Sequence, residues 1–244
     1  MTRRGRIALA LALLSVAGCS STKKSDSHFL DEVGTLSKTE ILARGDAFVT
    51  KKRWDDARKY YSFLADSFPN DPLGRKAALK VADTFFAQRD TESLTEAQLR
   101  YKDFANRFPS DPSRAYALLM LAKCSVAQSK GPQRDLKPLH EAIDSLKQML
   151  QAFPSSPNAN EARELLAACT ESLGQHELSV AQYYINVKAW LGAQQRLDYL
   201  LANYPQTQAA KAAGRLLETV RERLHEKPEP LTLPTAKARP VGAS

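Results

Sequence analysis

The sequence predicts an all-α protein, an α-solenoid of stacked helix pairs, and three observations predict it. The 244 residues are rich in Ala, Leu, Lys, Arg, Glu and Gln but hold only 10 glycines, which mostly sit near expected helix ends. No stretch alternates apolar and polar residues as a half-buried strand would. An aromatic–proline pair recurs at Phe68-Pro69, Phe108-Pro109, Phe153-Pro154 and Tyr204-Pro205, and proline stops a helix.

The prolines stand 40, 45 and 51 residues apart, yet counting backward from them restores order. Gly45, Phe48, Trp54, Ala57 and Tyr61 precede Pro69 by 24, 21, 15, 12 and 8 positions. Ala181, Tyr184, Trp190, Ala193 and Leu197 precede Pro205 by the same distances. Small residues let a helix A and a helix B approach closely, and the aromatics fill the space between successive pairs. This template resembles the tetratricopeptide repeat, and the chain holds about four and a half such repeats.

The middle repeats fit with insertions. Ala97 and Tyr101 keep the spacing before Pro109, while Ala82 and Phe85 fall three positions early, which predicts a longer turn at Arg89–Glu92. Ala142 and Leu146 keep it before Pro154; Ala122 is displaced, and a loop over Ser129–Pro138 absorbs the difference. The last interval exceeds a repeat by 17 residues, so Asn158–Leu173 extends the next helix A forward, either continuous with His176–Val187 or kinked at Gly174. The pair His176-Glu177, which follows Gly174, is read as a helix-start element rather than a ligand pair.

Helix starts are expected at two capping boxes, Ser37 to Glu40 and Ser93 to Glu96. Asp71-Pro72, Asp111-Pro112 and Ser156-Pro157 each place a capping side chain before a proline at the first helical position. Thr207 caps a last helix reaching about Leu224, after which the prolines of residues 226–244 predict a disordered tail.

The N-terminus carries a different message. Arg3, Arg4 and Arg6 precede the apolar run Ile7–Ala17, too short to span a bilayer but suited to a secretory signal over residues 1–18. Removing it takes three positive charges from the formal +8, and export separates the mature chain from nucleic acid. Leu14–Gly18 followed by Cys19 resembles a bacterial lipobox. By that resemblance Cys19 receives diacylglycerol and an N-acyl chain, and Ser20 after it favours the outer membrane. Residues 19–36 are then a flexible tether and 37–225 the helical domain. Cys124 and Cys169, within apolar helical runs, are expected as two small buried hydrophobes, their pairing left open.

Leu178–Tyr184, Ala189-Trp190, Ala193, Arg196-Leu197 and Asn203–Ala209 go beyond a generic repeat. With the lipobox and short tether they resemble the BamD (YfiO/ComL-type) family, lipoprotein subunits of the machine that inserts β-barrel proteins into bacterial outer membranes. The chain departs from that family at Asn186-Val187-Lys188, where members commonly carry Arg-Gly, and in ending on a proline-rich tail rather than a complete fifth helix pair. The resemblance implies a lipid-anchored protein on the periplasmic face, docked onto a BamA-type barrel subunit and receiving unfolded outer-membrane proteins, with no cofactor besides the covalent lipid and no metal. A different tetratricopeptide lipoprotein, coordinating cell-wall synthesis or division with the envelope, is the alternative.

Repeat geometry aims the first and fourth positions after each small residue of helix A at a concave groove, the kind that binds extended peptides. These are Asp46 and Val49, Asp83 and Phe86, Lys123 and Val126, Gln182 and Ile185. Val49, Asp83 and Phe86 are the candidates for substrate binding. For Arg196 the residues alone leave a solvated face and a partner contact open; the family resemblance in this helix implies partner docking, for which its fork of donors suits a carboxylate or carbonyl surface. Trp54, Ala57, Tyr61, Ala97, Tyr101, Ala181, Tyr184, Trp190 and Ala193 are assigned to the core. The chain lacks HExxH, GxSxG, P-loop and GxGxxG motifs, and its four histidines are scattered, so no catalytic role is expected.

Overall fold

The computed structural model describes residues 20–129 and 135–225, with side chains from His28 onward. The signal segment, Cys19 and the tail from 226 to 244 lie outside the described residues. Those described form ten helices and no strand: α1 Ser20–Thr35, α2 Lys38–Thr50, α3 Trp54–Ser67, α4 Pro72–Gln88, α5 Thr91–Arg107, α6 Arg114–Gln128, α7 Lys137–Ala152, α8 Ala159–Asn186, α9 Trp190–Asn203 and α10 Gln208–His225. Consecutive helices pack as tetratricopeptide-like pairs. The chain divides between Ala87 and Gln88 into two compact units.

In the first unit, α2 opens with the expected capping box: Ser37 Oγ accepts from the Glu40 amide, and Glu40 Oε2 accepts from the Ser37 amide at 2.7 Å. Ile41, Tyr61, Leu64, Ala77 and Val81 join one core. The stretch read as a flexible tether holds α1, Ser20–Thr35, and the end of that helix belongs to this core. Phe29 and Val33 share a face of α1, and Leu36 just past its end packs on the same core; Val33 is buried, and Phe29 meets Tyr60 edge-on at 5.1 Å between centroids. The polar run before them gave no hint of that face.

The repeat is visible in burial. Ala57 and Tyr61, Ala97 and Tyr101, Ala142 and Leu146, Ala193 and Leu197, at 12 and 8 positions before their prolines, are no more than 1% exposed. Four equivalent joints follow. Phe68, Phe108, Phe153 and Tyr204 each donate their amide four residues back, which closes helix B. Each carbonyl then accepts the amide three residues on, from Asp71, Asp111, Ser156 and Thr207, at 3.0 to 3.2 Å. Only in the first joint does the second proline begin the helix. There the Arg75 amide reaches the Asp71 carbonyl directly, whereas Asp111 and Ser156 first close a shorter turn onto Arg114 and Ala159. Pro112 and Pro157 therefore sit in turns, a correction to the sequence reading.

One further helix start differs from expectation. Asp90, not Ser93, caps α5, its carboxylate accepting from the Ser93 amide at 2.9 Å. Arg89, at φ 66°, makes the reversal that leaves Asp90 first in line. The predicted longer turn at Arg89–Glu92 is absent, and the extra residues lengthen α4 and α5 to 17 each, against 13 and 14 for α2 and α3.

In the second unit the break between α6 and α7 falls where an insertion was expected. Its residues 130–134 lie outside the described set. Helix α8 runs unbroken for 28 residues, so Gly174 is no kink. It is a close approach instead: a Cβ there would stand 3.0 Å from Thr207 Oγ1 and 3.2 Å from Ala209 Cβ, both at the start of α10. One turn earlier, Glu171 accepts the Gln208 and Ala209 amides at 2.7 and 3.2 Å, while Thr207 Oγ1 accepts from Ala210. Side chains from two places thus satisfy the first amides of α10. Cys124 and Cys169 are buried and not joined in a disulfide.

Two substitutions test these joints. A Cβ on Gly74 would lie 1.9 Å from the Phe68 carbonyl oxygen, which no side-chain rotation relieves. Gly74→Ala is expected to cost about 3 kcal/mol in urea unfolding. Glu171→Ala, which strips two amide acceptors from α10, is expected to cost about 1 kcal/mol and to speed hydrogen exchange in that helix before any other.

Candidate functional site

The first unit contains a pocket of about 190 Å³. Val49 from the last turn of α2, Trp54 and Tyr61 from α3, and Lys80, Asp83, Thr84 and Ala87 from α4 line it. Asp46 organises its floor: its Oδ1 accepts from Tyr61 Oη at 2.5 Å and from Lys80 Nζ at 2.8 Å. Burial, then the Asp46 bond, push the Tyr61 phenol well above its ordinary range. At Asp46 burial pulls the carboxyl upward, but the Lys80 and Tyr61 bonds outweigh it and hold the group below its usual 3.8. On the adjoining side Arg58 contacts Asp55, donates to Thr84 Oγ1 at 3.4 Å and covers the Phe85 ring at 4.2 Å. A small cleft results, with apolar walls, one carboxylate and one ammonium.

The second unit presents two features. A groove of about 780 Å³ runs between α5, α6 and α7, and Leu99 on its rim is 59% exposed. Its polar lining is internally bonded, Gln98 donating to Ser125 at 3.0 Å and Gln128 to Gln98 at 2.9 Å. Farther along, Arg196 on α9 donates through Nη1 to Glu177 Oε2 on α8 at 3.1 Å. Tyr204 and Tyr199 lie close by, their rings 6.2 Å apart, and burial followed by Tyr199 pushes the Tyr204 phenol up to about 12. Tyr183, Val187 and Leu191, around the α8–α9 turn, are more than half exposed. Patches of this kind are where proteins meet partners.

Residues 35–230 match the model of a family described as YfiO, outer membrane lipoprotein. The chain belongs to the YfiO family of outer membrane lipoproteins. The match starts in the final residue of α1 and passes the end of α10, so it takes in both units. A curated relative, the outer membrane protein assembly factor BamD of Haemophilus influenzae, is 26% identical over 229 residues, covering 88% of this chain and 84% of the relative. At Asn186-Val187-Lys188, where the sequence reading expected a departure from the family, Lys188 takes φ 58°, a conformation that suits glycine better than lysine.

Of the groove candidates expected from the repeat geometry, Val49 and Asp83 line one pocket. Phe86 is half-buried on the same helix and is not among the residues lining it. Val49 also packs against the core, as Ile185 does in the second unit. Lys123 bridges to Glu161 of α8 at 2.5 Å, and Gln182 is exposed. Trp54, assigned to the core, is a half-buried pocket wall. Tyr184 and Trp190 are half-buried against the last core, while the other six core assignments are buried. Sequence reasoning missed Lys80 and Glu177. For Lys80 a signal existed, since it stands one turn before Asp83 on the same face of α4. Glu177 was mistaken for a helix-start residue.

The Asp46 network predicts a pH dependence. A carboxyl whose folded pKa is depressed contributes stability that is complete above its ordinary value and lost as pH falls through the folded one. Asp46→Asn is expected to lower stability by about 1 kcal/mol at neutral pH, a modest figure because Asp46 is partly exposed. The gap to wild type should close below about pH 4. Urea titrations at pH 7 and pH 3 measure it.

Proposed function

We propose that this chain is a non-enzymatic, lipid-anchored subunit of the β-barrel assembly machinery, held by acylated Cys19 at the periplasmic face of the outer membrane. It scaffolds a BamA-type barrel subunit through the second unit and receives unfolded outer-membrane proteins through the first. The observation carrying this reading is the family match across both units, together with the likeness to an assembly factor. The pocket supports the second half. Val49, Trp54 and Ala87 offer apolar contact, Asp83 an acceptor for backbone amides, and Lys80 a cation, a combination suited to an extended peptide with alternating side chains. In the second unit, Arg196 and the exposed apolar residues of the α8–α9 turn form the partner face. Lipid on Cys19, with a second acyl chain at the new N-terminus, suffices for stable anchoring.

Affinity purification of the full chain from detergent-extracted membranes is expected to recover a BamA-type barrel protein. Recovery of peptidoglycan enzymes or division proteins in its place would sink the reading. For the pocket, a photo-crosslinker at Val49 should capture a peptide from the C-terminal strand of an outer-membrane barrel protein. Asp83→Lys is expected to cut capture about fivefold or more without shifting the melting temperature.

A further inference from the structure

The bond between Glu177 and Arg196 joins two unlike environments. The Glu177 side chain is 10% exposed and that of Arg196 is 45% exposed, so a carboxylate in the helix interface grips the inner edge of a guanidinium whose outer edge meets solvent. Such a pair is a poor source of net stability, because desolvating the carboxylate offsets much of the attraction. The contact between α8 and α9 does not depend on it either, since Leu178, Ala181, Ala193 and Leu197 already pack there. What the bond does is orientational. An arginine has many rotamers, and binding that must first freeze them is weaker than binding to a fork already fixed.

We infer that Glu177 is a positioning residue for partner docking: it holds the Arg196 guanidinium with its remaining N–H groups facing outward, so that the partner meets a preset fork. The inference rests on the reading of Arg196 as a docking residue. Glu177 itself, nearly buried, touches no partner and acts through Arg196.

The test is a double-mutant cycle on the purified full-length protein, with the soluble periplasmic fragment of the cognate BamA-type subunit as probe. Arg196→Ala is expected to weaken binding about tenfold and Glu177→Gln about fivefold. In the Arg196→Ala background, Glu177→Gln should change nothing further. An equal loss in both backgrounds means a general structural role and overturns the inference, as does wild-type affinity in Glu177→Gln beside a weakened Arg196→Ala. If Arg196→Ala binds like wild type, the docking role of Arg196 falls and this inference with it, while copurification of the barrel subunit still stands or fails separately. Glu177→Asp keeps the charge but withdraws it by one methylene. It covers the case in which the glutamine variant does not fold, and it is expected to bind about threefold more weakly, wild-type affinity again counting against the role.

Discussion

Everything else in the structure depends on one turn, in which a helix ends on an aromatic residue and the next residue is proline. Proline has no amide to continue the ladder, so the aromatic leaves the helical region, at φ between −123° and −136° in all four cases. Its carbonyl would be an orphan, and the amide three residues on satisfies it. The aromatic ring is tied down locally as well: Lys38 sits 4.4 Å over Phe68, and Phe104 packs against Phe108 at 5.0 Å. With exit direction fixed, the residues 8 and 12 positions upstream always meet the neighbouring helix, and there only a small residue and a larger apolar one in alternation fit.

This explains what was legible in the sequence. Helix B runs a nearly constant distance to its proline, so backward counting from the proline succeeds where forward counting fails. Insertions lie upstream of the counted positions, between α4 and α5, where they lengthen both helices, between α6 and α7, and in the long α8, so they displace helix A and leave the counted residues of helix B in place. The misreadings were local competitions between two adequate signals. Asp90 and Ser93 both suit a cap, and the sharp reversal at Arg89 decided for the earlier. Pro72, Pro112 and Pro157 all suit the first helical position, but a shorter turn intervenes after Asp111 and Ser156 and not after Asp71. The sequence alone carried no record of these choices, because each depends on backbone angles set by neighbours.

The candidate site was legible in part for a related reason. Val49 and Asp83, both picked by their offset from the small residue of helix A, line one pocket, since helical phase is preserved along α2 and α4. Phe86, picked by the same offsets, does not line that pocket, because phase alone does not say how far along the axis a pocket extends. Lys80 escaped because its role is relational. Its ammonium matters through Asp46, 34 positions away, which also receives the Tyr61 hydroxyl. A pairing between helices, unlike a face of one helix, leaves no periodic trace.

The long helix α8 makes the same point at the scale of the fold. In a repeat array each pair is normally covered by the next, and a last helix is exposed on the side where no successor stands. Here α10 packs against α9 and also against α8. The extra turns of α8 provide that second support, through Glu171 on the α10 amides and the tight contact of Gly174 with Thr207. Had α8 broken at Gly174, Glu177 would stand at an exposed helix start, free to wave in solvent. Because the helix continues, Glu177 is drawn into the interface, where it accepts from Arg196. One unbroken stretch of hydrogen bonds therefore both steadies the end of the array and sets the orientation of the arginine beside it.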